Sequence, residues 1–546
     1  MNIYATNIRE NEADTATFIN PFTQQRYQRG RLNVRVDRDE LLGPTATAIM
    51  RQHQAEVIAT THPDFPAILD PTHIAIGPFI SGLGDNLFFD TALNVGTHAV
   101  FGYNHPAIFP KLQRLGQVLA GFIGAGTDFF FVSRHGAPAS QDVAALLNQY
   151  ARDAYGVEFM TNFSNAGTEA NENAAKIAMF NKFRQVHAQL GERLYARMCE
   201  QLGIVKVRPH VDDLWSNYPF YVIAFHGAFH GRTGSTHTMS MSKRVQKEGY
   251  QAIPYVIHLP YDATVDFNRH IETTPLEQLI TTGQLRRVVD QRKIPIDLLS
   301  FVIMEPIQGE GGYVIPDDGL LRALNEFLGC YRAKGVCLIS DEVQAGLYRT
   351  GEFSAMSHWY RRYPHLKPDI MTFAKPLHVG AAVTQRWLLE DWPGGKFSGT
   401  WPEGNLLSLA MAAYTLQELK QIDPALGRPY ADNAKQAGEY LRRRLCEMAE
   451  QLEARYPGEA LVTNVRGVGQ MNAFDVPSKE IQEAVVYQAF LHGLHLLGTG
   501  ERSIRLFGTV DQRQREADLL VHILRDVMEA VMNQRQQHAS GTRATV

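Results

Sequence analysis

The sequence predicts an α/β protein with a large domain built on a mostly parallel sheet and a smaller α+β domain. In the central third, short continuous apolar runs alternate with helix-length segments, a pattern typical of strands buried on both faces of a parallel sheet. After Trp401 the pattern changes to long amphipathic helices with shorter strand-like pieces. We therefore expect a large domain over residues 101–395 with an insertion at about 183–219. We expect a C-terminal small domain over residues 396–546, to which the N-terminal segment 1–100 contributes.

The composition excludes several classes of protein. Of the 546 residues, 45% are hydrophobic and 20% are charged, which allows a sizeable core and excludes disorder as the dominant state. Lys and Arg number 53 against 57 Asp and Glu, so the charge balance gives no support for a nucleic-acid or membrane partner. The four cysteines form no Cys-x-x-Cys pair, so neither a disulfide framework nor a metal site is expected. An N-terminus without an apolar signal core leads us to expect a cytoplasmic protein.

Four predicted strands in the central third each end next to a polar residue suited to chemistry. The strands and the residues that follow them are 220–225 before His226, 298–304 before Glu305, 336–339 before Asp341, and 370–374 before Lys375. In open α/β sheets the ligand binds outside the carboxyl ends of the strands. We therefore expect these polar residues to share one crevice.

The remaining elements are predicted from helical periodicity and shorter apolar runs. Residues 183–219 are charged and predict helices inserted between two core elements. The other predicted elements are helices over 107–121, 406–419, 430–456 and 514–532, and strands over 462–465 and 503–507.

Lys375 and Asp341 are the first candidates for catalysis. Desolvation at the end of a buried strand favours the neutral amine of a lysine, which is then a nucleophile. Taken alone, such a lysine more often extends to solvent, and a carboxylate near it is often an ordinary ion pair. Together they also fit a lysine that forms a Schiff base with a pyridine cofactor while the carboxylate holds the protonated ring nitrogen.

Residues 165–172, with the sequence NAGTEANE, open a helix that is predicted to end at about Met179. Gly167 permits close approach to the backbone, Thr168 offers a hydroxyl and an N–H group, and a helix N-terminus favours an anion. The alternative is an ordinary helix that Thr168 or Asn165 caps, and the spacing is not that of a P-loop. A phosphate cradle, a ring-nitrogen partner and a Schiff-base lysine together describe a site for pyridoxal 5′-phosphate.

The sequence resembles the class III (ω-amino acid) aminotransferases, pyridoxal-phosphate enzymes of fold type I, over roughly residues 88–532. The matching motifs, in the order of the family, are GYNHPAI, NAGTEANENAAKIA, FHGAFHGRTGS, IMEPIQGEGG, LISDEVQAGLYRTGEF, PDIMTFAK and SIRLF. Details such as AFHGRT and GTGERSIRLF look most like the branch that contains the 4-aminobutyrate and lysine ε-aminotransferases.

The resemblance implies roles for the cofactor-site residues. Lys375 would form the Schiff base and move a proton at the substrate carbon, and Asp341 would keep the pyridine nitrogen protonated. The other residues implied to bind the cofactor are Gly167 and Thr168 at the phosphate, Phe229 and Val343 at the ring faces, Gln344 near the 3-oxygen, His230, Glu305, and Thr400 from the other subunit of a dimer.

The resemblance also implies the substrate-binding residues. Arg232 in HGRT and Arg505 in SIRLF match the two carboxylate-binding arginines of the family. Glu310 matches the acid that pairs with the second arginine when the incoming substrate carries no carboxylate there. The alternative for Arg505 is a surface ion pair. By the same resemblance, the N-terminal segment 1–100 helps to build the substrate entrance, and the active sites are shared within a homodimer.

These residues and the resemblance predict a pyridoxal-phosphate aminotransferase with a ping-pong mechanism. The amino donor would be an ω-amino acid or a primary amine, and the acceptor 2-oxoglutarate or pyruvate. Two alternatives remain open. One is another reaction on the same scaffold, such as that of a racemase, an aminomutase or a phospho-lyase. The other is a non-catalytic protein that keeps the cofactor as a sensed ligand.

Overall fold

A computed structural model gives the fold of the chain. It describes residues 2–4, 17–57, 68–119, 133–134, 137–206, 218–241, 247–250, 255–393 and 405–539. The chain divides into two compact units. The first, here called the terminal unit, comprises Met1–Gly121, Leu347–Glu352 and Tyr414–Val546. The second, here called the central unit, comprises Phe122–Gly346 and Phe353–Ala413.

The central unit is built around a seven-stranded sheet. The order of strands across it is Val256–Leu259, Tyr221–Phe225, Leu299–Met304, Cys337–Asp341, Ile370–Phe373, Gly380–Gln385 and Phe159–Ser164. The first five strands pair in parallel, and only Gly380–Gln385 runs antiparallel to its neighbours. The mostly parallel sheet and its four predicted strands are confirmed.

The sequence pattern does not predict the other three strands, and burial explains why. Phe159–Ser164 and Val256–Leu259 form the two edges of the sheet and are partly exposed, so they lack a continuous apolar run. Gly380–Gln385 is fully buried, but its sequence GAAVTQ is made of small and polar residues as well as valine. Apolar runs therefore mark only the central strands.

The long helix Gly167–Leu202 corrects one prediction. We expected this helix to end at about Met179, and that boundary is wrong, because the helix continues for 36 residues. No proline interrupts it, but Gly191, with a non-helical φ of 64° and ψ of 170°, joins two helical segments across a kink. The part beyond the kink packs Tyr195 and Met198 into the core of the central unit. The insertion at about 183–219 stays a prediction.

The other helices of the central unit cover the faces of its sheet or connect its strands. They are Ser140–Tyr155, Thr236–Met239, Leu276–Thr281, Leu285–Asp290, Asp318–Tyr331 and Ser357–Tyr360. The predicted helix 406–419 is confirmed as Leu406–Leu419, and the division between the units falls within it.

The terminal unit contains two main sheets. The first has the order Asn2–Tyr4, Val34–Val36, Leu87–Asp90, Phe79–Gly82 and Leu69–Ile76, with Leu494–His495 parallel to Leu87–Asp90. The second has the order Thr463–Val468, Met471–Asp475, Ser503–Phe507 and Leu497–Thr499. The principal helices of the terminal unit are Pro44–Glu56, Phe109–Leu119, Tyr430–Arg455, Lys479–Leu491 and Gln514–Ala539. The predicted small-domain helices and strands are thus confirmed.

Buried ion pairs join the N-terminal segment to the C-terminal helix within the terminal unit. Arg29 Nε lies 2.6 Å from Glu516 Oε1, and Arg29 Nη2 donates to Glu516 Oε2 at 2.8 Å. The same guanidinium pairs with Asp511, and all three residues are buried. These contacts connect the segment around Arg29 to the C-terminal part of the terminal unit. The assignment of separate roles to 1–100, 101–395 and 396–546 stays a prediction.

Candidate active site

The polar residues predicted to share a crevice follow strands that end at one edge of the large sheet. Asp341, the last residue of its strand, lies in register with Thr372 on the neighbouring parallel strand, and Lys375 follows three residues later. Glu305 comes directly after the strand that pairs with the other side of Cys337–Asp341. The structure therefore places Glu305, Asp341 and Lys375 at the same edge.

Asp341 is the centre of a buried hydrogen-bond network. Its side chain is only 3% exposed. Asp341 Oδ2 accepts a hydrogen bond from Asn171 Nδ2 at 2.8 Å and lies 2.8 Å from His230 Nδ1. Asp341 Oδ1 accepts from the backbone N–H of Val343 at 3.1 Å. A carboxylate with this many polar contacts is held in one orientation.

Asn171 is a site residue that the sequence interpretation missed. Besides Asp341, its Nδ2 donates to the carbonyl of His230 at 2.8 Å, and its Oδ1 accepts from Thr372 Oγ1 at 2.7 Å. Asn171 is 1% exposed and stands four residues after Gly167, on the same face of the helix. That i, i+4 spacing is the signal that could have identified it.

Glu305 connects two loops of the site. Its Oε1 accepts from the N–H of Phe229 at 2.9 Å, and its Oε2 accepts from the N–H of Gly309 at 2.8 Å. Burial, together with the charge of Asp341, raises the pKa of the Glu305 carboxyl to about 7. Glu305 thus fixes the loop that carries Phe229 and His230 relative to the loop that carries Glu310.

The N-terminus of the helix Gly167–Leu202 lies at the same edge. Its N-cap residue is Ala166, which has no side-chain acceptor, so the alternative in which Thr168 or Asn165 caps the helix is wrong. Thr168 Oγ1 instead lies 2.8 Å from the hydroxyls of both Thr233 and Thr236.

Glycines leave room around this N-terminus. A Cβ atom on Gly231, where φ is +134°, would lie 2.1 Å from Thr168 Oγ1. A Cβ atom on Gly167 would lie 2.9 Å from a methyl group of Val343. Larger residues at Gly167 or Gly231 would therefore crowd Val343 or the Thr168 hydroxyl at this helix N-terminus.

The residues predicted to surround a cofactor ring lie on the loops that leave this edge. Lys375 is partly buried and has an unusual φ of +21°, a backbone strain that is common at functional sites. Phe229 and Val343 are partly buried. Gln344 is 7% exposed, and its amide approaches Gly309 so closely that a Cβ there would lie 2.5 Å away.

The predicted substrate residues lie in different parts of the chain. Arg232 is exposed, and its guanidinium carbon lies 5.7 Å from the centroid of the Phe229 ring. Glu310 is partly buried on the loop after Glu305. Arg505 belongs to the terminal unit, is 4% exposed and lies on the strand Ser503–Phe507, so it is not a surface residue. Thr400 lies outside the described residues.

These residues fit pyridoxal phosphate. Asp341 supplies an oriented, buried carboxylate for a ring nitrogen, and Lys375 supplies an amine beyond the adjacent strand. A helix N-terminus with Gly167 and Thr168 suits the phosphate. Within the described ranges, no group of three or more His, Cys, Asp or Glu side chains could hold a metal ion. In that same part of the chain, every helix is too short or too polar to cross a membrane.

The fold is that of the pyridoxal-phosphate enzymes of fold type I. The sequence profile of the family "Aminotransferase class-III" matches residues 75–528, and the chain belongs to this family. Class III aminotransferases depend on pyridoxal phosphate, so the predicted enzyme class and cofactor are confirmed.

Individual relatives show the range of similarity. The mitochondrial 4-aminobutyrate aminotransferase of Sus scrofa is 29% identical over 371 residues, which are 66% of this chain and 67% of the relative. An alanine/serine racemase of Pyrococcus horikoshii is 29% identical over 304 residues, 53% of this chain and 58% of the relative. The solved lysine aminotransferase of M. tuberculosis has a TM-score of 0.62 at 22% identity, covering 88% of this chain and 99% of the other.

Proposed function

We propose that this aminotransferase moves the amino group of an ω-amino acid or a primary amine to 2-oxoglutarate or pyruvate by a ping-pong mechanism. The observation that carries this proposal is the placement of Asp341 at the end of one strand and of Lys375 just beyond the adjacent parallel strand, at one sheet edge. The similarity to 4-aminobutyrate aminotransferase supports a donor whose amino group is remote from its carboxylate.

The roles of the buried polar residues follow from their contacts. When bound, pyridoxal phosphate supplies a ring that withdraws electrons from the substrate carbon. Asp341 would hold the protonated ring nitrogen, while Asn171 and His230 keep the carboxylate in position. The amine of Lys375 removes a proton from the substrate carbon and returns one later in the cycle.

The helix N-terminus is proposed to bind the phosphate group. The backbone N–H groups at Gly167 and Thr168 point out of the first helical turn, where the helix dipole favours an anion. Thr168 Oγ1 already joins the hydroxyls of Thr233 and Thr236, so the cradle is preorganised. Phe229 and Val343 are proposed to enclose the ring.

Substrate carboxylates are proposed to bind the two arginines. Arg232 lies next to Phe229 and is exposed to an incoming substrate. Arg505 is proposed to bind a carboxylate of the 2-oxo acid acceptor, and Glu310 to take that place when the amino donor has none there. Charge-assisted bonds from a guanidinium suit a carboxylate in geometry and strength.

We further propose that the enzyme acts as a cytoplasmic homodimer in which Thr400 of each subunit reaches the phosphate site of the other. In this proposal the central unit binds the cofactor, and the N-terminal segment helps to form the substrate entrance. Cell fractionation tests the location, since the relative from Sus scrofa is mitochondrial. Light scattering of the purified enzyme tests the dimer.

A donor panel tests the proposed reaction. The cofactor spectrum is followed while 4-aminobutyrate, lysine, ornithine and simple primary amines are added singly. Donors of the proposed class are expected to convert the cofactor to its amino form, and 2-oxoglutarate or pyruvate to restore the original spectrum. The similarity to an alanine/serine racemase favours racemisation as the second candidate. Turnover of alanine or serine to its enantiomer without a keto acid would support that candidate and contradict ours.

A further inference from the structure

Two arginines of the terminal unit share one aromatic ring. The guanidinium carbon of Arg349 lies 4.2 Å from the centroid of the Phe507 ring, and that of Arg505 lies 5.4 Å from it. Arg349 is 0% exposed and Arg505 is 4% exposed. Arg505 and Phe507 are two residues apart on one strand, so their side chains project on the same face of the sheet. Arg349 comes from elsewhere in the chain.

The backbone that carries Arg349 is fixed to this sheet. The carbonyl of Arg349 accepts a hydrogen bond from the N–H of Gln470 at 2.8 Å. Gly469, at the turn before the strand Met471–Asp475, has φ of +54°, and a Cβ on it would lie 2.6 Å from the carbonyl oxygen of Arg349. Leu347 and Tyr348, just before Arg349, also have positive φ angles of 56° and 61°. This constrained backbone path fixes the position from which the Arg349 side chain reaches the Phe507 ring.

The Phe507 ring is held from another side as well. A Cβ on Gly96 would lie 2.4 Å from Phe507 Cε1, and the N–H of Phe507 donates to the carbonyl of Thr91 at 2.9 Å. Phe507 is 2% exposed. The ring is therefore a fixed surface, and the faces of aromatic rings attract cations.

We propose that Arg349 is a positioning residue for Arg505, and that the two guanidinium groups on Phe507 together set the affinity for the acceptor carboxylate. This inference rests on the proposed role of Arg505 and deepens it. The fixed ring limits the conformations that Arg505 can adopt before substrate arrives. The charge of Arg349, a second buried cation within a Debye length of Arg505, also increases the attraction for the acceptor carboxylate. Salt screens such buried charges less than it screens exposed ones.

Loss of the Arg349 charge is expected to affect the two half-reactions differently. Only the acceptor half requires a carboxylate at Arg505, so loss of the Arg349 charge is expected to weaken acceptor binding and leave the donor half-reaction unchanged. A residue that only supports the fold would weaken both halves. The ratio between them is the measurement that distinguishes positioning from general stability.

The test measures binding of glutarate, a diacid that has no keto group to react, to the holoenzyme by calorimetry. Arg349→Met keeps the apolar length of the side chain and removes its charge, and we expect the Kd of glutarate to rise about 30-fold, the scale of one desolvated cation–π contact. Arg349→Lys keeps the charge and is expected to stay within about threefold of the wild type. The rate of the donor half-reaction is expected to stay within about twofold in both variants.

Arg505→Met separates failure of this inference from failure of the proposed function. If Arg505→Met leaves the Kd of glutarate unchanged, the proposed role of Arg505 is wrong. If Arg505→Met weakens glutarate but Arg349→Met does not, only the inference is overturned. The inference is also overturned if Arg349→Met lowers glutarate affinity and the donor half-reaction rate equally. It is overturned as well if Arg349→Lys and Arg349→Met lower glutarate affinity equally.

A further variant keeps the test decisive if Arg349→Met does not fold. Phe507→Leu removes the shared ring and retains both charges. We expect it to raise the Kd of glutarate at least about threefold, because Arg505 loses the surface that orders it. An unchanged Kd, or an equal loss in the donor half-reaction, overturns the proposal.

Discussion

Replacing Asn171 with leucine tests how much the buried network contributes to cofactor binding. The substitution nearly conserves volume but removes the 2.8 Å bond to Asp341 Oδ2, the 2.8 Å bond to the carbonyl of His230 and the acceptor for Thr372 Oγ1. A hydrogen bond to a charged group contributes about 1.5–3 kcal/mol. If that contribution is needed to hold Asp341 against the ring nitrogen, the Kd of pyridoxal phosphate rises about 10- to 150-fold.

The assay is a spectroscopic titration of the apoenzyme with pyridoxal phosphate, alongside a thermal melt. Thr372→Val is the matched control, since it removes only the 2.7 Å bond to Asn171 Oδ1 and leaves the contacts of Asp341 intact. We expect its Kd to change by less than about threefold. A wild-type Kd for Asn171→Leu, or an equal loss in Thr372→Val, would refute the reasoning.

Three further substitutions test separate parts of the structure. Gly231→Ala places a Cβ 2.1 Å from Thr168 Oγ1, and equilibrium dialysis is expected to show at least about a tenfold loss of cofactor affinity. The raised pKa of Glu305, about 7 when folded, predicts that stability falls as pH rises from about 4.5 to 7, whereas melts of Glu305→Gln at pH 5 and pH 8 should lack this decrease. Arg29→Met leaves Asp511 and Glu516 buried without their cation, and chemical unfolding is expected to show a loss of about 3–5 kcal/mol.

The sequence predicts the centre of this fold better than its edges. Continuous apolar runs identify strands such as Leu299–Met304 because both of their faces are buried. The edge strand Phe159–Ser164 is partly exposed and therefore has no such run. The helix that begins at Gly167 was predicted too short, because a local pattern does not show that its second half packs into the core.

Some residues of the candidate site could likewise be predicted from the sequence, and others could not. Asp341 and Lys375 could be predicted because each follows a recognisable strand, and parallel strands bring their ends together. Asn171 and Thr372 depend on the register between a helix and a strand that are about 200 residues apart, which periodicity does not determine. Arg349 is identified only once the path of the backbone around Gly469 places it on the Phe507 ring.

The most direct test of the account is to find which lysine carries the cofactor. The holoenzyme is reduced with borohydride, which fixes a lysine–aldehyde linkage, and then digested and sequenced by mass spectrometry. The account predicts that the reduced cofactor is found on Lys375. A label on another lysine, such as the buried Lys182 of the helix Gly167–Leu202, or no label at all, would contradict it.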